Sequence, residues 1–451
     1  MIRKIQWNNY KGLGELLLDF SKTDGSIYNT IVLAGENGTG KTTILDTLSA
    51  YLNKQSVLPF KHIEYYVDGH EYIISPDANP RNAEAGFHAR IQKNADGIRF
   101  IHSGKQNSED KIEQDKKDLR HYGFVYSKAR SGFITDKVKS TTTQQVDQGK
   151  YEPDNQENFT RIKQLLIDIE EQDDSQWRKI SKIRGLSDQR YTDFERTSKG
   201  YRFENAFNGF FDNIQYIGTD DEDPNEKKVV FKKHGHTISV DNLSTGEKQI
   251  VFRGAHLLRY MNSISGGIVL IDEPELSMHP KWQKKILQFY RGLFTINGQQ
   301  NVQMIIATHS EYVIQAALDD PDNVLVIVLK DENGTITNKN ITAPNTLPSI
   351  TAAETNYMAF GIPSKDYHIE LYGWLQTKYG KHKIEECDLY ISQQTQYDPT
   401  KHEMIDNSYP GHQYMTLPTY IRNAIDHPDS GRTYTEEQLK TSIQLLIELC
   451  K

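Results

Sequence analysis

The residues Gly35-Glu36-Asn37-Gly38-Thr39-Gly40-Lys41-Thr42 decide how the rest of this 451-residue chain is interpreted. They match the pattern G-x-x-x-x-G-K-[ST] and lie between the apolar run Thr30-Ile31-Val32-Leu33-Ala34 and a segment with helical periodicity, residues 41–52. In this strand–loop–helix context the glycines let backbone N–H groups approach phosphate oxygens closely. Lys41 would supply positive charge to the phosphates, and Thr42 would offer a hydroxyl to Mg²⁺. The stretch therefore predicts a nucleotide-phosphate site.

A second motif is the run Gly267-Ile268-Val269-Leu270-Ile271-Asp272-Glu273-Pro274. Four apolar residues followed by two acids are typical of a buried strand that delivers carboxylates to its C-terminal edge, where α/β sheets bind ligands. Asp272 is predicted to hold the Mg²⁺ ion, and Glu273 to act as general base on the attacking water. Without the phosphate loop, the same run would indicate only a strand with polar ends.

A third motif is Asn242-Leu243-Ser244-Thr245-Gly246-Glu247-Lys248-Gln249. A hydroxyl and a glycine precede an amphipathic helix, an arrangement that favours an anion at the helix N-terminus. Glu247 follows Ser244 by three residues, which is also the spacing of a capping box. Both interpretations can hold for the same residues.

A fourth motif, Met304-Ile305-Ile306-Ala307-Thr308-His309-Ser310, is an apolar strand that ends in a histidine. A lone histidine after a strand usually has a structural role. Here the strand follows the acid-bearing one, so His309 is predicted to reach the same sheet edge and to contact the γ-phosphate.

Composition narrows the class of protein. The chain has 61 acidic and 53 basic residues, a net charge of -8, which argues against a generically basic nucleic-acid binder. Its two cysteines, Cys387 and Cys450, exclude a disulfide framework and a cysteine-based zinc site. No apolar run is long enough for a membrane span, and the first residues read as a strand rather than a secretory leader. These features lead us to expect a cytoplasmic protein without a membrane partner.

The order of elements predicts an α/β protein. Residues 1–33 are rich in strands, and 61–76 and 86–103 alternate as antiparallel strands do. The polar stretch 104–158, apart from a strand near 122–127, is interpreted as solvated excursions. From Ser244 onward, strands alternate with helices, which implies a largely parallel sheet. One helix is expected over 246–262, and the region from about 350 to the end is expected to be helical.

Together, the four motifs and their order resemble the ABC-type ATPases of the SMC and DNA-repair branch. The resemblance implies an ATPase head over residues 1–330, with a mixed or parallel sheet, an antiparallel β subdomain and a helical insertion at about 104–213. A helical C-terminal domain would then occupy 331–451. No sustained heptads occur between Lys41 and Ser244, so the head would carry no coiled-coil arm.

The resemblance also implies that two protomers sandwich ATP and Mg²⁺, giving a homodimer or a higher oligomer. Ser244 and Gly246 would contact the γ-phosphate bound to the opposite protomer, and His309 matches the switch histidine. The implied ATP-binding residues are Asn37, Gly38, Gly40, Lys41, Thr42, Thr43, Ser244, Gly246 and Glu247. The implied metal ligands are Thr42 and Asp272, and the implied catalytic residues are Glu273 and His309. No glutamine stands out as the family's Q-loop residue, and the strand 122–127 is where it would be expected.

Short, armless ATPases of this kind resemble those of prokaryotic anti-phage defence, in particular the Septu ATPases (PtuA), which also occur with retrons. This likeness implies a regulatory subunit that works with a separately encoded nuclease (HNH, PtuB-like) and with retron RNA or DNA. A DNA-repair ATPase is an alternative, although no DNA-binding groove could be located.

The C-terminal region suggests a different alternative. Residues Arg422 to His427 read Arg-Asn-x-x-x-His and resemble HEPN ribonuclease domains, which would make the chain a self-contained effector that cleaves RNA (tRNA). His427 could move a proton and Arg422 could stabilise phosphate charge. The structural interpretation is that these side chains pair with local carboxylates such as Asp426 and Asp429, and it includes the case of a catalytically inactive HEPN-like fold used for docking.

Overall fold

The computed structural model describes residues 1–95, 97–102, 112–130, 133, 135–152, 158–184, 188–409 and 412–451. The chain divides into two compact units, Met1–Asn338 and Lys339–Lys451, called here the head and the tail. Parts of the predicted excursions at 104–158 lie outside the described residues. Each unit is described by itself.

The secondary-structure elements are numbered along the chain. The strands are β1 (Ile2–Trp7), β2 (Leu17–Asp19), β3 (Thr30–Ala34), β4 (Phe60–Val67), β5 (His70–Pro76), β6 (Phe87–Gln92), β7 (Ile98–His102), β8 (Phe124–Ser127), β9 (Tyr151–Glu152), β10 (Ile214–Asp220), β11 (Lys228–Lys233), β12 (His236–Ser239), β13 (Ile268–Asp272), β14 (Thr295–Ile296), β15 (Gln299–Gln300), β16 (Gln303–Thr308), β17 (Val324–Glu332), β18 (Thr335–Asn340), β19 (Glu403–Tyr409) and β20 (His412–Thr416). The helices are α1 (Lys41–Leu52), α2 (Pro80–Glu84), α3 (Asn158–Arg184), α4 (Asp188–Thr197), α5 (Tyr201–Phe210), α6 (Thr245–Lys248), α7 (Gly254–Leu258), α8 (Pro280–Leu293), α9 (Glu311–Leu318), α10 (Ala352–Phe360), α11 (Lys365–Lys378), α12 (Ile384–Ser392), α13 (Pro399–His402), α14 (Leu417–Asp426) and α15 (Glu436–Cys450).

A seven-stranded sheet in the order β18-β17-β3-β16-β13-β8-β9 organises the head. The strands from β17 to β9 pair in parallel, which agrees with their near-continuous apolar sequences, buried on both faces. In the register, Asp272 lies beside Ala307, and Ala34 lies beside Thr308. The phosphate loop, the two acids and His309 therefore all follow strand ends at one edge of the sheet, as the strand order of the sequence predicts.

Among the described residues, three antiparallel sheets accompany the seven-stranded sheet in the head: one of six strands in the order β2-β1-β4-β5-β6-β7, one formed by β10, β11 and β12, and the hairpin of β14 and β15. The six-stranded sheet and α1 share a hydrophobic core with the central sheet; among its fully buried residues are Trp7, Phe60, Ile44, Leu33 and Ile305. The predicted α/β class, with a mixed sheet and an antiparallel β subdomain, is confirmed.

Within the stretch 104–158, the interpretation as solvated excursions holds for exposed residues such as Glu113, Lys116 and Lys117, but it is wrong for residues 118–120, which are buried. Asp118 and Arg120 are both fully buried, and their side chains pair at 2.7 Å. Arg90 also reaches Asp118, at 3.6 Å. Charged side chains can be buried when they pair with opposite charges and form hydrogen bonds, because these interactions compensate for the lost hydration.

Helical structure in the head departs from the prediction in several places. The helix expected over 246–262 is interrupted: after α6, the chain makes a π-helical turn over Gln249–Arg253 and then continues as α7. Elements that were not predicted from the sequence include α4, α9, β10 and the hairpin of β14 and β15.

The tail is largely helical, as predicted, and its helices pack around fully buried residues such as Leu371, Ile391, Ile421 and Ile443. A purely helical tail is nevertheless wrong, because β19 and β20 form an antiparallel hairpin between α13 and α14. Asp388 of α12 anchors the end of this hairpin by accepting hydrogen bonds from the Thr416 hydroxyl, at 2.6 Å, and its backbone N–H, at 3.0 Å.

Candidate functional site

The phosphate loop of the head joins β3 to α1 and relies on glycines at its two ends. Gly40 has φ 82° and precedes the first turn of α1, and a Cβ there would lie 2.4 Å from Leu13 Cδ2. A Cβ on Gly35 would lie 2.5 Å from the carbonyl oxygen of Leu329. Asn37 and Gly38 are exposed at the tip of the loop. Glycines at these two positions therefore let the loop pack closely against Leu329 and Leu13 at the N-terminus of α1, a position that favours phosphate.

Lys41 occupies the floor of this loop. Its side chain is 5% exposed, and its ammonium donates hydrogen bonds to the carbonyls of Gly35 at 2.7 Å and Glu36 at 2.8 Å. Desolvation by burial lowers the pKa of Lys41 to about 8, although the nearby carboxylates Asp272 and Glu273 act in the opposite direction. The ammonium is thus mostly charged at neutral pH and is held within the loop.

Thr42 meets the second motif directly. Its hydroxyl Oγ1 donates to Asp272 Oδ2 at 2.9 Å, across 230 residues of sequence. Asp272 is 4% exposed, and burial raises the pKa of its carboxyl above the ordinary value. Thr43, the next residue, is half-buried, and its carbonyl accepts a hydrogen bond from Thr47 within α1. A hydroxyl and a carboxylate at this separation are a hard-oxygen pair suited to Mg²⁺.

Glu273 follows Asp272 with a left-handed backbone, φ 45°. Its Oε1 lies 3.3 Å from His309 Nε2, and both side chains are partly exposed, at 29% each. Burial and the positive charge of Lys41 lower the pKa of His309, so the imidazole is neutral at neutral pH. The contact therefore joins a carboxylate to a neutral ring at the edge of the sheet rather than forming an ion pair.

Glu275 contacts the backbone of His309. Its Oε1 accepts hydrogen bonds from the His309 backbone N–H at 2.7 Å and from the Thr308 hydroxyl at 2.8 Å. Burial raises the pKa of the Glu275 carboxyl, and its Oε2 is a buried atom without a hydrogen-bond partner. Glu275 thus connects the loop after β13 to the end of β16 within the chain.

The third motif begins α6. Ser244 is exposed and caps the helix, and its side chain and that of Glu247 form the reciprocal contacts of a capping box. Glu247 also accepts a hydrogen bond from Lys233 at 2.6 Å, so its carboxylate is engaged within the chain. Gly246 is buried, and a Cβ there would lie 2.7 Å from the Ser277 carbonyl oxygen. The capping interpretation applies, and the exposed Ser244 hydroxyl is the member of the motif that a second molecule could reach.

Sequence analysis missed Arg253. This residue ends the π-helical turn, is 3% exposed, and donates from Nη2 to the carbonyl of Asp272 at 2.6 Å and from Nη1 to that of Glu273 at 2.8 Å. A regular helix was expected over this segment. Because the π turn shifts the side chains around the helix axis, the helical periodicity could not indicate the side that Arg253 faces.

The strand predicted to lie near the Q-loop position is β8, next to β13 in the sheet. It ends at Ser127, and Lys128 follows, with its ammonium 2.9 Å from Asp46 of α1. The residue that directly follows β8 is therefore Lys128 and not a glutamine. A glutamine with the Q-loop role is not identified.

In the tail, Arg422 and His427 lie on and just beyond α14. Arg422 lies on α14, and its Nη2 pairs with Asp426 Oδ2 at 2.7 Å, one turn further along the same helix. His427 lies beyond the helix end, with an exposed side chain and a non-helical backbone. Arg422 therefore follows the structural interpretation of this motif, pairing with a local carboxylate.

The described residues offer neither a metal cluster nor a membrane-spanning helix. Within the described ranges, histidine, cysteine and carboxylate side chains do not gather in groups of three or more that could hold a metal ion by themselves. Among the helices of the described residues, none combines the length and apolar character needed to cross a membrane.

Relatives with curated names include two retron ATPases and a Septu protein. The chain is 35% identical to the Retron Vc95 probable ATPase of Vibrio cholerae serotype O1 biovar El Tor, over 21% of this chain and 19% of that protein. It is 23% identical to the Retron Ec83 probable ATPase of Escherichia coli, over 69% of each chain. It is 19% identical to the Septu protein PtuA of Bacillus mycoides (strain KBAB4), over 72% of this chain and 40% of that protein. The chain thus spans well under two thirds of the first and third of these relatives.

Solved structures with a detectable likeness include SMC heads. One is an SMC head bound to the C-winged helix domain of ScpA, with 15% identity, a TM-score of 0.41, and 75% of this chain and 98% of that chain covered. Another is the SMC head domain from Thermotoga maritima, with 13% identity, a TM-score of 0.38, and the same coverage.

A family model covers the residues that build the site. The model described as "AAA domain, putative AbiEii toxin, Type IV TA system" matches residues 31–315, from β3 to α9. Together with the retron and Septu relatives, this match confirms the predicted resemblance to ATPases of prokaryotic defence systems. The chain therefore belongs to this AAA-domain family, and its head is an ATPase domain.

Proposed function

We propose that this chain is the ATP-binding and ATP-hydrolysing regulatory subunit of an anti-phage defence system, and that ATP-dependent pairing of two copies controls an associated nuclease. The observation that carries the proposal is the convergence of two contacts at one sheet edge: Thr42 with Asp272 at 2.9 Å, and Glu273 with His309 at 3.3 Å. These residues come from the ends of three different strands or from the loop and helix that follow them, and they are far apart in sequence.

The residues at this edge fit a magnesium nucleotide. The phosphate loop provides a helix N-terminus and a buried ammonium, and the Thr42 hydroxyl and the Asp272 carboxylate offer hard oxygen ligands. A single carboxylate is enough because Mg²⁺ in such sites takes its other ligands from phosphate and water. When bound, Mg²⁺ would neutralise charge on the phosphates, and Thr42 and Asp272 would hold it.

Each side chain then has a chemical task. Lys41 would bind phosphate oxygens through its ammonium, and the first backbone N–H groups of α1 would add hydrogen bonds. Glu273 would accept a proton from the attacking water at a carboxylate oxygen, and His309 would hold that carboxylate in place and contact the γ-phosphate. Glu275 would hold His309 in place by accepting a hydrogen bond from the His309 backbone N–H.

Pairing of two copies is supported by the exposed start of α6. The Ser244 hydroxyl faces outward at a helix N-terminus whose carboxylate, Glu247, is engaged by Lys233 within the chain. The exposed Ser244 hydroxyl therefore remains accessible to a nucleotide on another molecule. The partner nuclease is proposed by analogy with the Septu and retron relatives. The effector alternative gains no support, because Arg422 is held by Asp426.

The test uses Glu273→Gln, which removes the base but keeps the shape of the side chain. We expect turnover to fall by about 10²-fold or more, the usual contribution of a general base. With ATP, the mass of the Glu273→Gln protein in solution should rise to that of a dimer, and Ser244→Arg in the same background should prevent the rise. Turnover equal to that of the parent would contradict the assignment of Glu273, and a constant mass with and without ATP would contradict the pairing.

Control of a nuclease is tested by purifying the chain with the products of its neighbouring genes. We expect a nuclease to copurify, and its cleavage of DNA or RNA to differ between the parent and Glu273→Gln in the presence of ATP. Cleavage that is the same in both proteins would contradict nuclease control and leave the ATPase assignment intact.

A further inference from the structure

Arg253 is the most highly connected buried cation near the carboxyl edge among the described residues. Nε donates to Ser127 Oγ at 2.8 Å, and Nη2 donates to the carbonyls of Ser127 at 3.0 Å and Asp272 at 2.6 Å. Nη1 donates to the carbonyl of Glu273 at 2.8 Å. The guanidinium thus binds the ends of two neighbouring strands, β8 and β13, at the point where the site begins.

All of these acceptors are backbone carbonyls or a hydroxyl. An arginine that paired with the carboxylate of Glu273 would neutralise it and prevent it from acting as a base. Arg253 instead fixes the main chain of Asp272 and Glu273 and leaves their carboxylates facing Thr42 and His309. The planar guanidinium carries five donors in a fixed fork, which a lysine cannot reproduce.

The backbone of Glu273 requires such support. Its φ of 45° is unusual for a residue with a side chain, and conformations of this kind persist only where surrounding contacts determine them. The Glu273 N–H donates to the carbonyl of Ala307 at 2.9 Å, and its carbonyl accepts from Arg253. The two bonds hold both sides of this residue, which directs its carboxylate toward His309.

The position of Arg253 in the chain links it to the third motif. It ends the π-helical turn Gln249–Arg253, which directly follows α6 and its cap Ser244. A π turn adds one residue to the helix and so shifts the following side chains around its axis; such turns are frequent at functional sites. If contact with a second molecule moved the start of α6, the π turn would move with it. The Arg253 side chain would then shift the Glu273 carbonyl to which it donates a hydrogen bond.

We propose that Arg253 is a positioning residue for Glu273, which couples the signature segment 244–249 to activation of the attacking water. This inference rests on the proposed function, since it assumes that Glu273 is the base. It assigns to the π turn a role that the capping and nucleotide motifs do not cover.

The test is a series of variants measured by steady-state ATP hydrolysis and by equilibrium binding of a fluorescent ATP analogue. Arg253→Lys keeps the charge and loses the fork, and we expect kcat to fall by about 10²-fold, the scale for a misplaced catalytic group. The dissociation constant of the analogue should stay within about twofold. Ser127→Ala removes one acceptor and no charge, and we expect kcat to fall by about threefold, as for one lost hydrogen bond.

Arg202→Lys is the matched control. Arg202 is another arginine of the head with little exposure, and it donates to Asp147 and to the carbonyl of Leu258, away from the site. Its replacement should lower the melting temperature and leave kcat unchanged. A general loss of packing would lower kcat in both arginine variants, whereas positioning lowers it only at Arg253.

A double-mutant cycle separates positioning from other roles. In the Glu273→Gln background, Arg253→Lys should cause no further loss, because the group it positions has been removed. A full additional loss in that background, or a kcat within twofold of the parent in both Arg253→Lys and Ser127→Ala, would overturn the inference. If Arg253→Lys does not fold, Ser127→Ala and its cycle with Glu273→Gln decide the question. If Glu273→Gln itself retains full turnover, the proposed function fails first, so the two failures are distinguishable.

Discussion

The carboxyl edge in the head and helix α14 in the tail both carry a charged contact of hydrogen-bond length, yet they differ in how their residues come together. Thr42 and Asp272 meet at 2.9 Å although 230 residues separate them in sequence. Arg422 meets Asp426 at 2.7 Å only four residues further along the same helix. An i,i+4 pair follows from helix geometry alone, whereas a long-range convergence of polar groups at a sheet edge needs the whole fold.

Electrostatics adds to this contrast. At the edge, burial lowers the pKa of Lys41 to about 8, raises that of Asp272 and lowers that of His309. Shifts of this kind mark groups that are held in place against their solvation preference, and they cluster at functional sites. The comparison therefore favours the head as the chemical centre of the molecule, and four predictions test it in order of decreasing effect.

The largest effect is expected from Lys41→Met, which keeps the length of the side chain and removes its charge. The dissociation constant for ATP should rise by about 100-fold, since charge-assisted contacts to phosphate contribute about 2–3 kcal/mol. Isothermal titration calorimetry measures the change. Lys61→Met, at an exposed position on β4, serves as the control and should bind ATP as the parent does. Unchanged affinity in Lys41→Met would remove the site from the phosphate loop.

A smaller effect is expected from His309→Ala. The substitution leaves Glu273 without its neighbour at 3.3 Å, and we expect kcat to fall by about 30-fold while ATP binding changes little. His309→Gln keeps a donor near the Nε2 position and should recover part of the loss. A normal kcat in His309→Ala would show that the imidazole has only a structural role after its strand.

The third prediction concerns pH. Because the pKa of Lys41 lies at about 8, raising the pH from 7 to 9 converts most of its ammonium to the neutral amine in the free protein. Bound phosphate favours the charged form, so affinity is full below the pKa and is lost as pH rises through it. KM for ATP should therefore increase by about tenfold between pH 7 and pH 9. In Lys41→Met this increase should be absent, and a parent profile that is flat over the same range would contradict the role of the ammonium.

The sequence predicted the edge well because strand ends and glycine loops are local signals. The order of Lys41, Asp272 and His309 after apolar runs was enough to place them together, since parallel strands share one carboxyl edge. Arg253 could not be found this way, because its orientation depends on a π turn that periodicity does not show. The buried pair of Asp118 and Arg120 was missed for a related reason: burial of a charge depends on partners and packing across the fold, and a polar stretch of sequence does not reveal them.

The smallest effect is expected at Arg422. An ion pair of this kind on one helix contributes about 0.3–0.5 kcal/mol, so Arg422→Ala should lower the free energy of unfolding by less than about 1 kcal/mol. Asp426→Ala removes the other partner and should have a similar effect. The double variant should lose less stability than the sum of the two single losses, because both substitutions remove the same ion pair. Chemical denaturation followed by circular dichroism measures all three.

Activity measurements on the same variants test the role of Arg422 more directly than stability does. If Arg422 only pairs with Asp426, then Arg422→Ala, Asp426→Ala and His427→Ala should all leave ATP turnover and any RNA cleavage by the purified chain unchanged. A ribonuclease would respond differently: Arg422→Ala and His427→Ala would abolish cleavage, while Asp426→Ala would free the guanidinium and retain it. That pattern would make α14 a second chemical centre and would end the contrast between the two regions, because a helix-local pair would then be masking a catalytic arginine.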